Sequence, residues 1–139
     1  MHGAGEEPAV WEGWDGWAVD LQAGLTVRDA SLLNYEAVVS CDAWLTERPL
    51  CLVGRGMGAV VVQLAARRVE PAALVLIDPW PAEGSESLTA AGTRPESDVV
   101  LAECREGVSV EPAPAPTLVV DNSEVDPQAV FAWARSAST

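Results

Sequence analysis

The sequence predicts an α/β fold, a small doubly wound and mostly parallel sheet of about four strands flanked by helices. Two observations lead to this prediction. Short runs rich in valine and leucine alternate along the chain with segments of helical periodicity. The runs are continuously apolar, which is typical of parallel strands that are covered on both faces. Because the chain has 139 residues, of which 49% are hydrophobic, we expect one globular domain over 1–139.

Caps and turn residues define the elements of the first third of the chain. Trp17–Leu21 follows a turn-rich start and predicts a short strand. Asp29 or Ser31 can cap a helix that runs to about Glu47. In this helix the apolar residues recur on one side, so we expect the core to contact Leu33, Ala37, Cys41 and Trp44. The polar residues on the other side are expected to face solvent, namely Glu36, Ser40 and Glu47.

The middle of the chain has the clearest pattern. Leu50–Val53 is a continuous apolar strand that runs into a glycine-rich turn. A helix follows from Met57 to about Val69 and ends before Pro71, because the residue preceding a proline disfavours the helical conformation. Ala73–Ile77 is the next apolar strand. This strand–helix–strand unit predicts two parallel neighbouring strands with a right-handed crossover.

The last third of the chain is less regular. Residues 81–97 are rich in Gly, Ser, Thr, Pro and Glu and predict a long surface loop. Ser97–Arg105 fits either a strand or a short helix. Three prolines lead into a further strand at Thr117–Asp121, and a helix from Pro127 to about Ala134 closes the domain.

The charge balance is strongly acidic. The chain has 21 acidic residues against 8 basic ones, all of them arginine, and a net charge of −13. Such a surface repels phosphate backbones and anionic lipids, so we expect neither nucleic acid nor a membrane as a partner. No apolar window approaches the ~18 residues of a membrane span, and no leader pattern opens the sequence. These observations favour a soluble, cytoplasmic protein.

Three cysteines are an odd number, and none of them forms a C-x-x-C pair. This spacing predicts neither a metal site nor a disulfide framework. Cys41 and Cys51 lie in apolar stretches, whereas Cys104 lies in a mixed one, so reduced structural thiols are expected. Nothing in the sequence points to a metal or to a prosthetic group.

Residues 49–79 read PLCLVGRGMGAVVVQLAARRVEPAALVLIDP, a strand, a glycine-rich turn, a helix and a second strand that ends in Asp78. This order resembles the nucleophile elbow of α/β-hydrolases, where the turn reads G-x-S-x-G. The start His2-Gly3-Ala4-Gly5 is similar to the oxyanion loop of that family, and Trp17–Leu21 to its next strand. The segment Pro116–Pro127 resembles the late strand and loop that present the catalytic acid. The resemblance implies a minimal α/β-hydrolase-like domain.

The departures from the family pattern concern its catalytic groups. The position of the nucleophile holds Gly56, and the only histidine is His2, at the opposite end of the chain from the family's catalytic histidine. The resemblance therefore implies a protein without serine-hydrolase activity. The family's central strand before the oxyanion loop also has no counterpart here, and an unpaired edge recruits partners. We expect a homo-oligomer or a complex with another chain; the alternative is a fragment of a longer hydrolase.

The glycine-rich turn keeps one property that needs no serine. At the start of a helix the backbone N–H of Met57 is expected to point toward an anion or a carbonyl oxygen. The oxyanion-like loop can supply a second donor, and Arg55 a positive charge. The candidate ligand-binding residues are Gly3, Ala4, Arg55, Gly56, Met57 and Trp80. The alternative is that the turn needs small residues for steric reasons alone.

No spacing in the sequence singles out a catalytic group, and the candidate acids and bases are His2, Asp78, Asp126 and Tyr35. Each has a structural interpretation as well. Asp126 precedes Pro127 as an N-cap pair, Asp78 precedes Pro79 in a turn, and His2 is expected to be frayed near the terminus. Four tryptophans either line an apolar pocket or cover the sheet, namely Trp11, Trp14, Trp17 and Trp80.

Three functions remain open. The first is a non-hydrolytic binding protein or partner subunit that holds a small apolar or acyl-type molecule. The second is an enzyme without a nucleophile, such as a cyclase, lyase or isomerase. The third is a dinucleotide-binding domain, because Gly54-x-Gly56-x-x-Ala59 after a strand, with Asp78 after the next strand, also fits that pattern.

Overall fold

The computed structural model describes residues 1–2, 6, 8–14, 16–23, 25, 29–79 and 94–138. These residues form an α/β domain with a parallel sheet of three strands in the order β1-β2-β3, flanked by helices. The strands are β1 (Cys51–Arg55), β2 (Ala73–Ile77) and β3 (Thr117–Val120). The helices are α1 (Leu32–Trp44), α2 (Met57–Val69), α3 (Asp98–Glu106) and α4 (Pro127–Ala137), and Pro8–Trp11 forms a 3₁₀ turn. No helix of the described residues has both the length and the apolar character needed to cross a bilayer.

The predicted strand at Trp17–Leu21 is not formed, so three strands are described where about four were expected. Residues 17–20 have no regular structure, and Leu21 begins a turn. Backbone N–H groups that a strand would pair with a neighbouring strand donate to side chains instead. The N–H of Leu21 donates to Nε2 of His2 at 3.0 Å, and that of Gln22 donates to Oδ1 of Asp20 at 3.0 Å. The apolar pattern of this segment reflects burial of Val19 and Leu21 in the core rather than sheet pairing.

Side-chain caps fix where three helices begin. Ser31 caps α1 in a capping box with Asn34, as one of the two predicted caps. Ser97 caps α3 by accepting the N–H of Val100. The segment Ser97–Arg105, for which the sequence allowed a strand or a short helix, is therefore a helix. Asp126 caps α4, with Pro127 in its first turn. Most of the predicted loop at 81–97 lies outside the described residues, and 94–97 have no regular structure.

The predicted orientation of α1 is wrong. Glu36 and Ser40 are buried, whereas the apolar stripe expected in the core is exposed to solvent, namely Leu33, Ala37, Cys41 and Trp44. Glu36 tolerates burial because Oγ of Ser40 donates to it at 3.1 Å and Nε of Arg68 on α2 lies 3.3 Å away. The helix therefore packs on α2 through a mixed face.

The two faces of the sheet carry different cores. On one face α1, α2 and α3 enclose an aliphatic cluster that includes Val60, Val61 and Val62, all nearly inaccessible to solvent. On the other face the buried centre is Val75, Ile77 and Val130 of α4. Aromatic residues complete this second cluster, namely Trp11, Trp14 and Trp133.

Among the described residues, Met1 pairs with the outer edge of β1. Met1 donates its N-terminal amine to the carbonyl of Val53 and accepts the N–H of Arg55 at 2.9 Å. These two bonds are those of a parallel bridge. The amine is buried, and burial lowers its pKa to about 5. Nearer the start of β1, the edge at Cys51 has no backbone partner among the described residues.

Candidate functional site

The turn after β1 is held by close backbone contacts. A Cβ atom at Gly54 would lie 2.4 Å from the carbonyl oxygen of Gly58, and one at Gly58 would lie 2.4 Å from those of Met1 and His2. Gly56 has φ 57° and ψ −120°, a combination that strains residues with a side chain, and its N–H donates to Ile77 at 2.9 Å. The steric interpretation of this glycine pattern therefore has direct support.

Polar side chains at the carboxyl ends of the strands form a chain of contacts. Arg55 lies at the end of β1, 3.3 Å from Oε2 of Glu6. Its Nη1 donates to Oδ1 of Asn122 at 3.0 Å, and the N–H of Asn122 donates to Oδ1 of Asp78 at 3.0 Å. Two predicted site residues, Arg55 and Asp78, thus belong to one network. Both are engaged with protein groups, and Asp78 is exposed with φ 43° in a turn.

His2 is completely buried, so the prediction of a frayed residue is wrong. Its Nε2 accepts the N–H of Leu21 at 3.0 Å and lies 3.1 Å from Nη2 of Arg94. Arg94 holds Asp20 by two contacts of 2.5 and 3.2 Å. The ring of His2 is thus held in place by the backbone of Leu21 and by Arg94 rather than presented to solvent. The arginine also holds the pKa of Asp20 below its usual value.

The remaining predicted residues are dispersed. Asp126 accepts the N–H of Gln128 at 3.1 Å on the surface, so its structural interpretation as a cap is confirmed. Met57 is fully buried at the start of α2, which has no side-chain cap. Gly3, Ala4 and Trp80 lie outside the described residues. The proposed carbonyl or anion site around Met57 therefore stays a prediction.

Tryptophans of the first segment form a cavity against the sheet. It has a volume of about 130 Å³ and opens to solvent beside β1. Its main lining residues come from both ends of the chain and from β1, namely Trp11, Trp14, Trp17, Cys51, Val53 and Phe131. The sequence left open whether the tryptophans line a pocket or cover the sheet, and both hold in part. Trp11, Trp14 and Trp17 line the cavity, and Trp11 and Trp14 also pack against the apolar cluster on this face.

The walls of the cavity are fixed by aromatic contacts. The rings of Trp11 and Trp14 meet edge to face, with centroids 5.2 Å apart at 88°, and Trp14 meets Phe131 at 5.8 Å and 71°. The indole Nε1 of Trp11 is buried and has no hydrogen-bond partner among the described residues. An unpaired buried donor costs about 1–3 kcal/mol. Trp11 lines the cavity, and its N–H lies just below the accessible surface of the wall, so a ligand would meet it after a small rotation of the ring.

Two further ionisable groups have raised pKa values, one in the cavity and one on the other face of the sheet. Cys51 lines the cavity, and burial raises the pKa of its thiol to about 11. The thiol is therefore protonated near neutral pH and a poor nucleophile. Tyr35 is buried on the opposite face, where burial and the neighbouring carboxylate of Glu96 raise its pKa. Neither group has the depressed pKa of an activated nucleophile.

Sequence reasoning missed Phe131, Cys51 and Val53 as cavity residues. Phe131 lies on α4 one turn after the cap at Asp126, and its only sequence signal is its place in an amphipathic helix. Val53 and Cys51 alternate with Leu52 along β1, so they face the second side of the sheet. Because side chains alternate along a strand, the sequence alone places Cys51 and Val53 on one face of the sheet. It does not tell which segments cover that face, so it could not place the two residues beside the tryptophans.

Within the described residues, no group of His, Cys, Asp and Glu side chains could hold a metal ion. Comparisons of the chain with protein-family models, with curated proteins and with solved structures found no match. Function therefore has to be inferred from the residues themselves.

Proposed function

We propose that this chain is a non-hydrolytic binding protein for a small apolar molecule that carries a hydrogen-bond acceptor, such as an aromatic acyl compound. The single observation that carries the proposal is an open cavity lined by Trp11, Trp14, Trp17 and Phe131, below whose surface the N–H of Trp11 is buried without a partner among the described residues. The cavity supplies apolar contact, and a small rotation of the Trp11 ring on binding would supply one directional hydrogen bond.

The size of the cavity limits the ligand to about one ring. An apolar cavity of about 150 Å³ holds one benzene molecule, and this one measures about 130 Å³. Ligand sites for larger molecules usually occupy about 300–1,000 Å³. The cavity is open to solvent and Trp17 in its lining is 79% exposed, so a substituent of the ring can extend into solvent.

The chemistry of the ligand follows from the donors and acceptors of the wall. The indole N–H only donates, so it selects a group with a free lone pair, such as a carbonyl or ether oxygen, over an ammonium group. Among the described residues that line the cavity, none has a charged side chain. An anionic carboxylate would therefore lose its hydration without a cation to replace it, and a neutral ligand is favoured.

We also propose that the domain is related to the α/β-hydrolases and has lost their chemistry. The strained turn at Gly56 supports this relationship, as does the one-residue parallel bridge of Met1 beside β1. The absence of catalysis is supported by the missing side chain at position 56 and by the engagement of His2 Nε2 with Leu21. A non-hydrolytic enzyme and a dinucleotide-binding domain stay alternatives, and no feature of the cavity favours either.

The binding proposal is tested with acetophenone and α-methylstyrene, which have a carbonyl oxygen and a methylene carbon at the same position, titrated calorimetrically into the protein. Acetophenone should bind about fivefold more tightly, because its carbonyl accepts the N–H of Trp11 for about 1 kcal/mol. Trp11→Phe removes the N–H and keeps an aromatic ring, so it should remove this preference. Trp44→Phe is the matched control on the exposed face of α1 and should leave both affinities unchanged.

Alkylation of Cys51 provides an independent readout of where the compounds bind. A bound molecule should slow the reaction of iodoacetamide with Cys51, whereas exposed Cys41 on α1 should react at an unchanged rate. The proposal fails if neither compound binds up to its solubility limit. It also fails if Trp11→Phe leaves the preference for acetophenone intact.

A further inference from the structure

The outer face of α1 carries an apolar stripe that no described residue covers. Leu33 is 66% exposed, Trp44 is 71% exposed and Leu45, which follows the helix, is 87% exposed. The small residues Ala37 and Cys41 lie between them on the same side and are also exposed. The stripe recurs every three to four residues over three turns, which is the spacing with which one helix packs on another. Large contiguous apolar surfaces of this kind mark interaction sites.

A groove runs beside this stripe. It has a volume of about 590 Å³ and lies between α1 and the irregular segment that contains Trp17. The residues of α1 that line it are Asn34, Ala37, Val38, Cys41 and Asp42. The small side chains among them let a second helix approach to the usual interaxial distance of about 8–10 Å. We call the stripe and this groove together the α1 groove.

The exposed charges along α1 are mainly acidic. Of the four acidic residues between positions 29 and 47, only Glu36 faces away, buried against Arg68 on α2. Arg28 and Arg48 adjoin this stretch in the sequence, and Arg48 donates to the carbonyl of Glu70. Asp42 lines the groove, and Asp29 and Glu47 flank the helix on its exposed side. The carboxyl end of α1 adds the negative end of a helix dipole beside Trp44, and the last turn holds no basic residue.

We infer that the α1 groove docks an amphipathic helix of another protein, about three turns long, whose apolar stripe is flanked by lysine or arginine. The apolar stripe explains the contact, and the acidic rim selects basic flanks. A second copy of this chain is disfavoured, because an isologous contact would bring the same acidic rims together between two molecules of net charge −13. The exposed tryptophan is the expected anchor of such an interface.

The inference is tested with two synthetic helical peptides of the same leucine stripe, one flanked by lysines and one by glutamates, titrated by fluorescence anisotropy. The lysine peptide should bind, with an affinity that falls as salt is added, and the glutamate peptide should not. Trp44→Ala should weaken the lysine peptide tenfold or more. Val119→Ala is the control, because Val119 is 60% exposed on β3, away from the groove.

A charge-reversal variant distinguishes docking of a basic helix from nonspecific hydrophobic binding. Asp42→Lys should weaken the lysine peptide and bring the glutamate peptide into measurable binding, while acetophenone titrations stay as in the unmodified protein. Sedimentation equilibrium measures whether a second copy of this chain occupies the α1 groove instead. Equal binding of the two peptides, binding of neither, or a dimer of this chain that Trp44→Ala dissolves would each overturn the inference.

Discussion

The two faces of the sheet are built by different means. On the face covered by α1, α2 and α3, the buried residues are mostly aliphatic, and buried polar groups have partners. On the face covered by α4 and the first segment, aromatic rings are half-buried around a cavity and one indole N–H is unpaired. Among the described residues, the aliphatic face therefore lacks free polar side-chain groups in its core, whereas the aromatic face has the void that a binding function needs, at some cost in stability.

The largest expected effect lies on the closely packed face. Gly54→Ala would bring a Cβ atom to 2.4 Å from one backbone atom and 2.7 Å from another, in a helix that cannot move without disturbing the core. We expect the free energy of unfolding to fall by about 3 kcal/mol, measured by urea denaturation. Gly16→Ala adds the same atom in open space near the cavity and should change stability by less than about 0.5 kcal/mol. Equal losses in the two variants would erase the distinction between the faces.

A pair of leucines compares the faces with the same change. Leu74→Ala empties a fully buried site on the aliphatic face and should cost about 3 kcal/mol. Leu118→Ala removes a half-buried side chain from the aromatic face and should cost about 1.5 kcal/mol, since the surface it vacates is already partly hydrated. Unfolding by urea measures both. A larger loss at Leu118 would mean that the aromatic face carries more of the stability than its packing suggests.

The smallest expected effect concerns Tyr35, whose hydroxyl donates to Glu96 on the aliphatic face. The pKa of Tyr35 is raised in the folded protein, so the phenol keeps its proton while the unfolded chain releases it above about pH 10. The contribution of Tyr35 to stability should therefore be fully present below about pH 10 and decline as the pH rises above it, in addition to the decline from the thiols of Cys51 and Cys104, whose pKa values are also raised. Tyr35→Phe should flatten this alkaline decline in thermal melts recorded from pH 8 to about pH 11, at a cost of about 1 kcal/mol at neutral pH. An unchanged alkaline decline in the variant would assign it to other groups.

Local sequence signals were sufficient for the centre of the fold. The bounds of α2 and β2 match the structure, because a glycine turn, a proline and continuous apolar runs define them within a few residues. Burial of α1 could not be predicted in this way, since Glu36 is stabilised in the interior by Arg68, a residue of another helix. Hydrophobic periodicity depends only on the residue types of the helix itself. It cannot show that a charged residue of another helix will pair with one of them in the interior.

The candidate site was predicted only in part, for a similar reason. Tryptophan density pointed to a pocket, but the cavity exists because Phe131 of the last helix meets Trp14 of the first segment across the sheet. The segment at Trp17–Leu21 shows the opposite error. Its alternating pattern fits a strand, yet the ring of His2 takes the amide hydrogen bond that a neighbouring strand would have needed. Contacts between distant parts of the chain decided both outcomes.

The perpendicular meeting of the indoles of Trp11 and Trp14 has a spectroscopic consequence. Their electronic transitions couple at this separation, so the pair should give a near-ultraviolet dichroism band whose shape depends on the angle between the rings. Trp44, which faces water on α1, should contribute mainly to the fluorescence at longer wavelength. The chain thus has an intrinsic optical probe with which loosening of one half of the molecule can be followed while the other half is still intact.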